Sequence, residues 1–190
     1  MPPWVGPTIL RSSHENGVVA LRRTRIRSFA PIAGRNARVL ILGSMPGQAS
    51  LDAGQYYAHG RNAFWRILSE VLDFDPKAPY RTRKQALLAA RIALWDVLHS
   101  CVRTGSSLDA RIESEVANDF RAFFRTHTRV THVFFNGAKA EASYRRHVLP
   151  GLGVALRYAR LPSTSPAHAS LPYRRKLAAW RGILKGRPST

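Results

Sequence analysis

Residues 38–65 read RVLILGSMPGQASLDAGQYYAHGRNAFW, and the fold turns on how the first six are taken. RVLILG is a continuous apolar run ending on glycine, the pattern of a strand covered on both faces. Past a long polar connection, Phe64, Ile67, Leu68 and Val71 fall at helical spacing. The same alternation recurs along the chain. IALWDVL (92–98) reads as a second buried strand, VTHVFFNG (130–137) as a third and ALRYARLP (155–162) as a fourth. RKQALLAAR (83–91), Ala138 to Leu149 and Leu171 to Leu184 read as helices. Asp109 to Thr126 carries Ile112, Val116, Phe120 and Phe123 on one stripe, so a helix is expected there too. Strands alternating with helices imply right-handed βαβ units. The expected fold class is α/β: a three-layer α/β/α sandwich on a mostly parallel sheet of about four strands.

The chain has 190 residues, enough for one domain, with a formal net charge of +19. Such an excess points to a polyanionic partner, nucleic acid first. Arg outnumbers Lys 25 to 5, so a composition bias towards Arg competes as an explanation. Cys101 is the single cysteine, which excludes an intrachain disulfide framework and cysteine-rich metal clusters. No apolar run of membrane-spanning length occurs, and the first residues lack the apolar core of a secretory signal. A cytoplasmic protein is expected. Residues 1–29 lack periodicity and are dense in Arg, so they read as a basic, flexible arm, or as an arbitrary start to the chain. The folded unit is expected over 30–186, with 187–190 a tail.

In such sheets, ligands sit at the carboxyl ends of the strands. The connections there, 43–62, 96–109, 136–140 and 161–170, are the stretches richest in Gly, Ser, Thr, Asn and His. Known nucleotide motifs do not account for them. GSMPG lacks the G-K-[ST] ending of a P-loop and is not G-x-G-x-x-G. No H-E-x-x-H or G-x-S-x-G occurs.

The loop that follows RVLILG resembles the first motif of the uracil-DNA glycosylase superfamily. The mismatch-specific branch has Gly-x-Asn-Pro-Gly, a Ser, a Gly, an aromatic, then Ala-His-Pro-x-Asn-x-Phe-Trp. Here these become Gly43, Met45-Pro46-Gly47, Ser50, Gly54, Tyr57-Ala58-His59, Asn62 and Phe64-Trp65, without a gap. LPSTSPAHAS (161–170) lies where the superfamily keeps its second, Pro/Ser-rich motif. The pair is most similar to the hypoxanthine (deoxyinosine) branch. Met45 stands where related branches hold a water-orienting Asp or Asn, and Gly60 where the family usually has Pro.

The resemblance implies a DNA repair glycosylase acting on a deaminated base, hypoxanthine favoured and uracil possible, flipped out of DNA. It implies Asn62 as the catalytic amide; its competing role is to cap the following helix. The base would meet Ser44, Met45, Tyr57 and Asp96. Tyr57 would supply a stacking face, and Asp96 would accept a ring N–H or else serve only its own backbone. Ser163, Thr164, Ser165 and His168 would meet DNA phosphates, unless the loop is simply a helix cap. Asn136 is expected to hold loops together, His59 to bond backbone, and Tyr56, Phe64 and Trp65 to belong to the core. No lysine lies in either motif, so a monofunctional enzyme is expected, monomeric and without metal or organic cofactor. Two other readings stand beside it: a nucleic-acid-binding protein on the same fold that does not cleave, and a uracil-specific glycosylase.

Overall fold

A computed structural model of the chain describes residues 23–104 and 112–186. Four strands form the central sheet: β2 (Val39–Gly43), β3 (Ile92–Asp96), β6 (His132–Asn136) and β7 (Arg157–Leu161). Their order is β3-β2-β6-β7 and every neighbouring pair is parallel. β2 and β3 are buried at every residue, as continuous apolar runs require of central parallel strands. The expected α/β architecture is therefore what the chain adopts.

Helices cover the sheet. α1 (Gln48–Ala53) is a short turn inside the long connection after β2, closed by Gly54 in the left-handed region at φ 60°. α2 (Phe64–Leu72), α3 (Tyr80–Ala89) and α6 (Tyr173–Trp180) share an aromatic cluster, with Phe64 edge-on to Trp180 and Trp65 edge-on to Tyr80. α4 (Phe120–Thr126) and α5 (Ala138–His147) share another, in which Phe120 meets Trp95 and Tyr144. Glu141 in the first turn of α5 and Arg145, Arg146 and His147 in its last suit the helix dipole.

Three expectations need correcting. The stretch read as one helix over 109–126 is a strand, β5 (Ile112–Ala117), followed by α4, whose start Asp119 caps by accepting the Ala122 N–H at 2.9 Å; residues 109–111 lie outside the described ones. Apolar residues four apart satisfy a strand period as well as a helical one, so Ile112 and Val116 misled. The connection after Asp96 likewise contains a strand, β4 (Leu98–Thr104). β4 and β5 form an antiparallel sheet with β1 (Arg23–Arg27), in the order β1-β4-β5. The arm expected over 1–29 thus gives up residues 23–29 to the folded unit, because β1 pairs with β4 from Arg23↔Thr104 to Arg27↔Ser100. Residues 1–22 and the expected tail, 187–190, lie outside the described residues.

One ion network ties the second sheet to α5. The Glu115 carboxylate accepts hydrogen bonds from the Lys139 ammonium, from Ser143 Oγ at 2.8 Å and from His147 Nε2 at 3.1 Å. Burial alone would raise its pKa, but the Lys139 and Ser143 hydrogen bonds outweigh burial and hold it below the ordinary 4.5. A carboxyl whose pKa is depressed by folding adds stability above its unfolded value and loses it as pH falls through the folded one. Urea unfolding of wild type and Glu115→Gln should therefore differ by a constant amount above pH 4.5, with the gap closing in more acidic buffer. A gap that persists unchanged at lower pH would show that the network contributes no charge-dependent stability.

Candidate active site

A cleft of about 580 Å³ opens at the carboxyl end of the central sheet, where the long connection after β2 faces the loop after β7. All nine residues singled out from the sequence as catalytic, base-binding or DNA-binding border it.

The turn at 43–47 is anchored through its carbonyls. Those of Gly43 and Ser44 accept from Val97 N–H at 2.8 Å and Leu98 N–H at 3.1 Å. Pro46 C=O accepts from Arg103 Nη1 at 2.8 Å and Gly47 C=O from Ser50 N–H at 3.0 Å. With the carbonyls turned into the protein, the opposite edge of the turn, with Ser44 and Met45, faces the cleft. Met45 is buried and brings no oxygen or nitrogen to the wall.

Tyr57 and Asn62 form the next part. Tyr57 has a left-handed backbone, φ 55°, and its ring stacks on Phe64 at 3.9 Å between centroids. Phe64 and Trp65 belong to the core, as expected, and Phe64 backs the Tyr57 ring. Asn62 Oδ1 accepts the Phe64 N–H at 3.0 Å, and its own N–H donates to His59 C=O at 2.8 Å. This local turn opens α2 and fixes the side-chain amide at the cleft. The N-cap position of α2 falls on Ala63, without a side-chain cap, so Asn62 is not the helix's N-cap; its oxygen shapes the turn before the helix, while its NH₂ end can serve a ligand. His59 Nδ1 accepts the Arg61 N–H at 3.1 Å, which leaves its proton on Nε2. Arg61, exposed at the mouth, escaped the sequence reading.

Asp96 supplies the acidic wall. It ends β3 opposite Gly43 of β2 and is 3% exposed. Its Oδ2 accepts from Ser28 Oγ at 2.8 Å, and its backbone carbonyl from Asn118 Nδ2 at 2.8 Å. A Cβ at Gly43 would stand 2.4 Å from Asp96 Oδ1 and 2.8 Å from the Tyr57 hydroxyl. Only a residue without a side chain lets those two groups converge there. Tyr56 lies beneath, buried, its hydroxyl donating to Ala30 C=O at 3.2 Å. Burial first, and then the Asp96 charge, push its pKa up, so it stays a neutral donor.

The opposite wall is held at three points. Asn136 grips Thr164 with both ends of its amide, Nδ2 to Oγ1 and Oδ1 from the N–H, each at 2.9 Å. Trp180 Nε1 donates to Pro162 C=O at 2.9 Å, and the buried Lys176 ammonium to His168 C=O at 2.6 Å. Burial lowers the pKa of Lys176. Thr164 is 1% exposed, and its hydroxyl and amide both bond Asn136, so its side chain fastens the loop. Ser163 and Ser165 accept from Ser165 N–H and Ala167 N–H, each at 3.2 Å, and keep their hydroxyl protons for a ligand. Ala167 and His168 form the exposed tip.

A sequence model of the Uracil DNA glycosylase superfamily matches residues 31–183. The chain belongs to that superfamily. A hypoxanthine DNA glycosylase of Methanosarcina acetivorans is 31% identical over 160 residues, 84% of this chain and 98% of that protein. One from Methanosarcina barkeri is 36% identical over 115 residues, 60% of this chain and 72% of the relative. A solution NMR structure from Methanosarcina acetivorans superposes with a TM-score of 0.71 at 31% identity, covering 84% of this chain and 99% of the other. As a superfamily member the chain is a DNA glycosylase, and DNA is its partner. Among the described residues no helix is long and apolar enough to cross a membrane, and no group of three or more His, Cys, Asp or Glu gathers as metal ligands would.

Sequence reasoning also missed Ser28 and Asn118, which brace Asp96 from outside both motifs. Neither has a local signal, since each is a lone polar residue whose partner is set by tertiary folding alone.

Proposed function

We propose that the protein hydrolyses the N-glycosidic bond of hypoxanthine in DNA, releasing the free base and leaving an abasic site. The observation that carries this is the pairing, in one cleft, of the Asn62 amide fixed by its own turn with the buried Asp96 carboxylate. The flipped base stacks on Tyr57 and presents its N1–H to Asp96, while the turn at 44–47 lies against its carbonyl. Asn62 positions the attacking water or holds the departing base. The transition state has sugar-cation character, so stabilising the leaving anion is the main electrostatic task. Ser163, Ser165, Arg61 and His168 grip the flanking phosphates and fill the gap left in the stack. Two relatives are named hypoxanthine DNA glycosylases, and on that ground hypoxanthine is placed ahead of uracil. Among the described residues no lysine borders the cleft, and Lys176 is engaged with the His168 carbonyl, which supports hydrolysis without a Schiff base.

The test is single-turnover incubation with end-labelled duplexes carrying one inosine, uracil or xanthine, analysed before and after alkali. Inosine duplex should break after alkali and stay intact before it. A break before alkali would signal a lyase step and overturn the monofunctional assignment. No release from any duplex, with DNA still bound, would mark a binding protein; release of uracil alone would mark a uracil-specific enzyme.

A further inference from the structure

We propose that Ser28 is a positioning residue of the site: its hydroxyl holds the Asp96 carboxylate in the orientation from which it meets the flipped base. The inference rests on the reading of Asp96 given above.

Ser28 lies just after β1, in the stretch that the sequence presents as an arm, and upstream of the 31–183 span shared with the superfamily. Its Oγ donates to Asp96 Oδ2 at 2.8 Å. The bond does not depend on a swinging loop. Ser28 N–H donates to His99 C=O at 2.8 Å, continuing the β1–β4 ladder one step beyond Arg27↔Ser100. The next carbonyl, Phe29, accepts from Trp95 Nε1 at 3.1 Å, and Ala30 C=O accepts from the Tyr56 hydroxyl. Ile32 and Leu94 exchange backbone hydrogen bonds at 2.9 Å in both directions. Residues 28–32 therefore run along the outer side of β3 and brace its end residue.

That brace fixes which oxygen goes where. With Oδ2 on Ser28, Oδ1 stands over Gly43, beside the Tyr57 hydroxyl and at the cleft. A carboxylate oxygen has more than one lone-pair direction, so a protein neighbour does not prevent it from accepting a base N–H. The last torsion of an Asp side chain is soft, and a charge-assisted donor such as Ser28 is what narrows it.

The experiment is single-turnover cleavage of an inosine duplex by the full chain, at enzyme concentrations that saturate the DNA, with melting measured in parallel. Variants are Ser28→Ala, Ser28→Thr, Asp96→Asn and the double variant Ser28→Ala/Asp96→Asn. Ser28→Ala should slow cleavage about tenfold, the scale of one hydrogen bond to a charged group, and Ser28→Thr, which keeps the hydroxyl, should recover most of it. In the Asp96→Asn background the Ser28 change should have no further effect, because the group it orients is gone. A purely structural Ser28 would lower melting and multiply the Asp96→Asn loss by the same factor, which would overturn the inference. So would a wild-type rate in Ser28→Ala beside a slow Asp96→Asn. A wild-type rate in Asp96→Asn would instead sink the Asp96 reading, and the inference with it. Should Ser28→Ala not fold, Ser28→Cys keeps the shape with a weak donor and carries the same expectations.

Discussion

Asn62→Ala is expected to slow single-turnover cleavage of inosine DNA by about 10²-fold or more, the scale for removing one preorganised group that acts on the transition state. The variant loses two things at once. It loses the oxygen that accepts the Phe64 N–H, and it loses the NH₂ at the cleft. Loss of the first should lower stability by about 1 kcal/mol, as for other side chains that satisfy the N-terminal amides of a helix. Asn62→Asp separates the two. A carboxylate still accepts the Phe64 N–H, so melting should match wild type. Cleavage should remain slow if the amide donates to the departing base, because a carboxylate repels the charge that develops there. Recovery of rate in Asn62→Asp would instead assign Asn62 to orienting water. DNA affinity should change little in either variant, since phosphate contacts dominate it. Wild-type rates in both would remove Asn62 from the mechanism.

Gly43→Ala should be comparably severe for a different reason. Its Cβ would enter the space between Asp96 Oδ1, at 2.4 Å, and the Tyr57 hydroxyl, at 2.8 Å. Neither yields readily: Asp96 is tied to Ser28, and Tyr57 is stacked on Phe64. One methyl group must therefore displace the Asp96 carboxylate or tilt the Tyr57 ring. A misplacement of about 1 Å at a reacting centre costs about 10²-fold in rate, and overpacking a buried site costs about 1–3 kcal/mol of stability. The expected result is a folded, DNA-binding protein with a lower melting temperature and about 10²-fold slower inosine release. Normal release would mean that the convergence of Asp96 and Tyr57 over Gly43 is not used in catalysis.

How far the sequence reached follows from the kind of signal each part carries. β2 and β3 were legible because a strand buried on both faces must be apolar throughout. β1 was not: RTRIR sets Arg at every second position, and without its partner β4 such a stretch reads as a charged coil. β5 was read as helix because its apolar residues run on, four apart, into the stripe of α4. The nine residues nominated for the site do border one cleft, since two dense motifs at strand ends leave little freedom in where they meet. Their orientations were another matter. Ser163, Thr164 and Ser165 are equivalent on paper, yet Thr164 alone is turned inward, by an amide on β6 that no local pattern connects to it. Ser28 was invisible for the same reason.

The central sheet also sets a timetable. Ala63 and Thr164, joined by an N–H to carbonyl bond of 3.0 Å that ties the loop after β7 to the start of α2, come from distant parts of the chain. β2 and β3 leave the ribosome early, whereas β7, the loop behind it and the α6 side chains that fasten that loop come later. The β6–β7 pair cannot close until the later strand arrives. A nascent chain thus carries Tyr57, Asn62 and Asp96 well before it owns the opposite wall of the cleft. Under the proposed function, a chain cut before β7 and α6 lacks the second wall of the cleft and is not expected to excise a base.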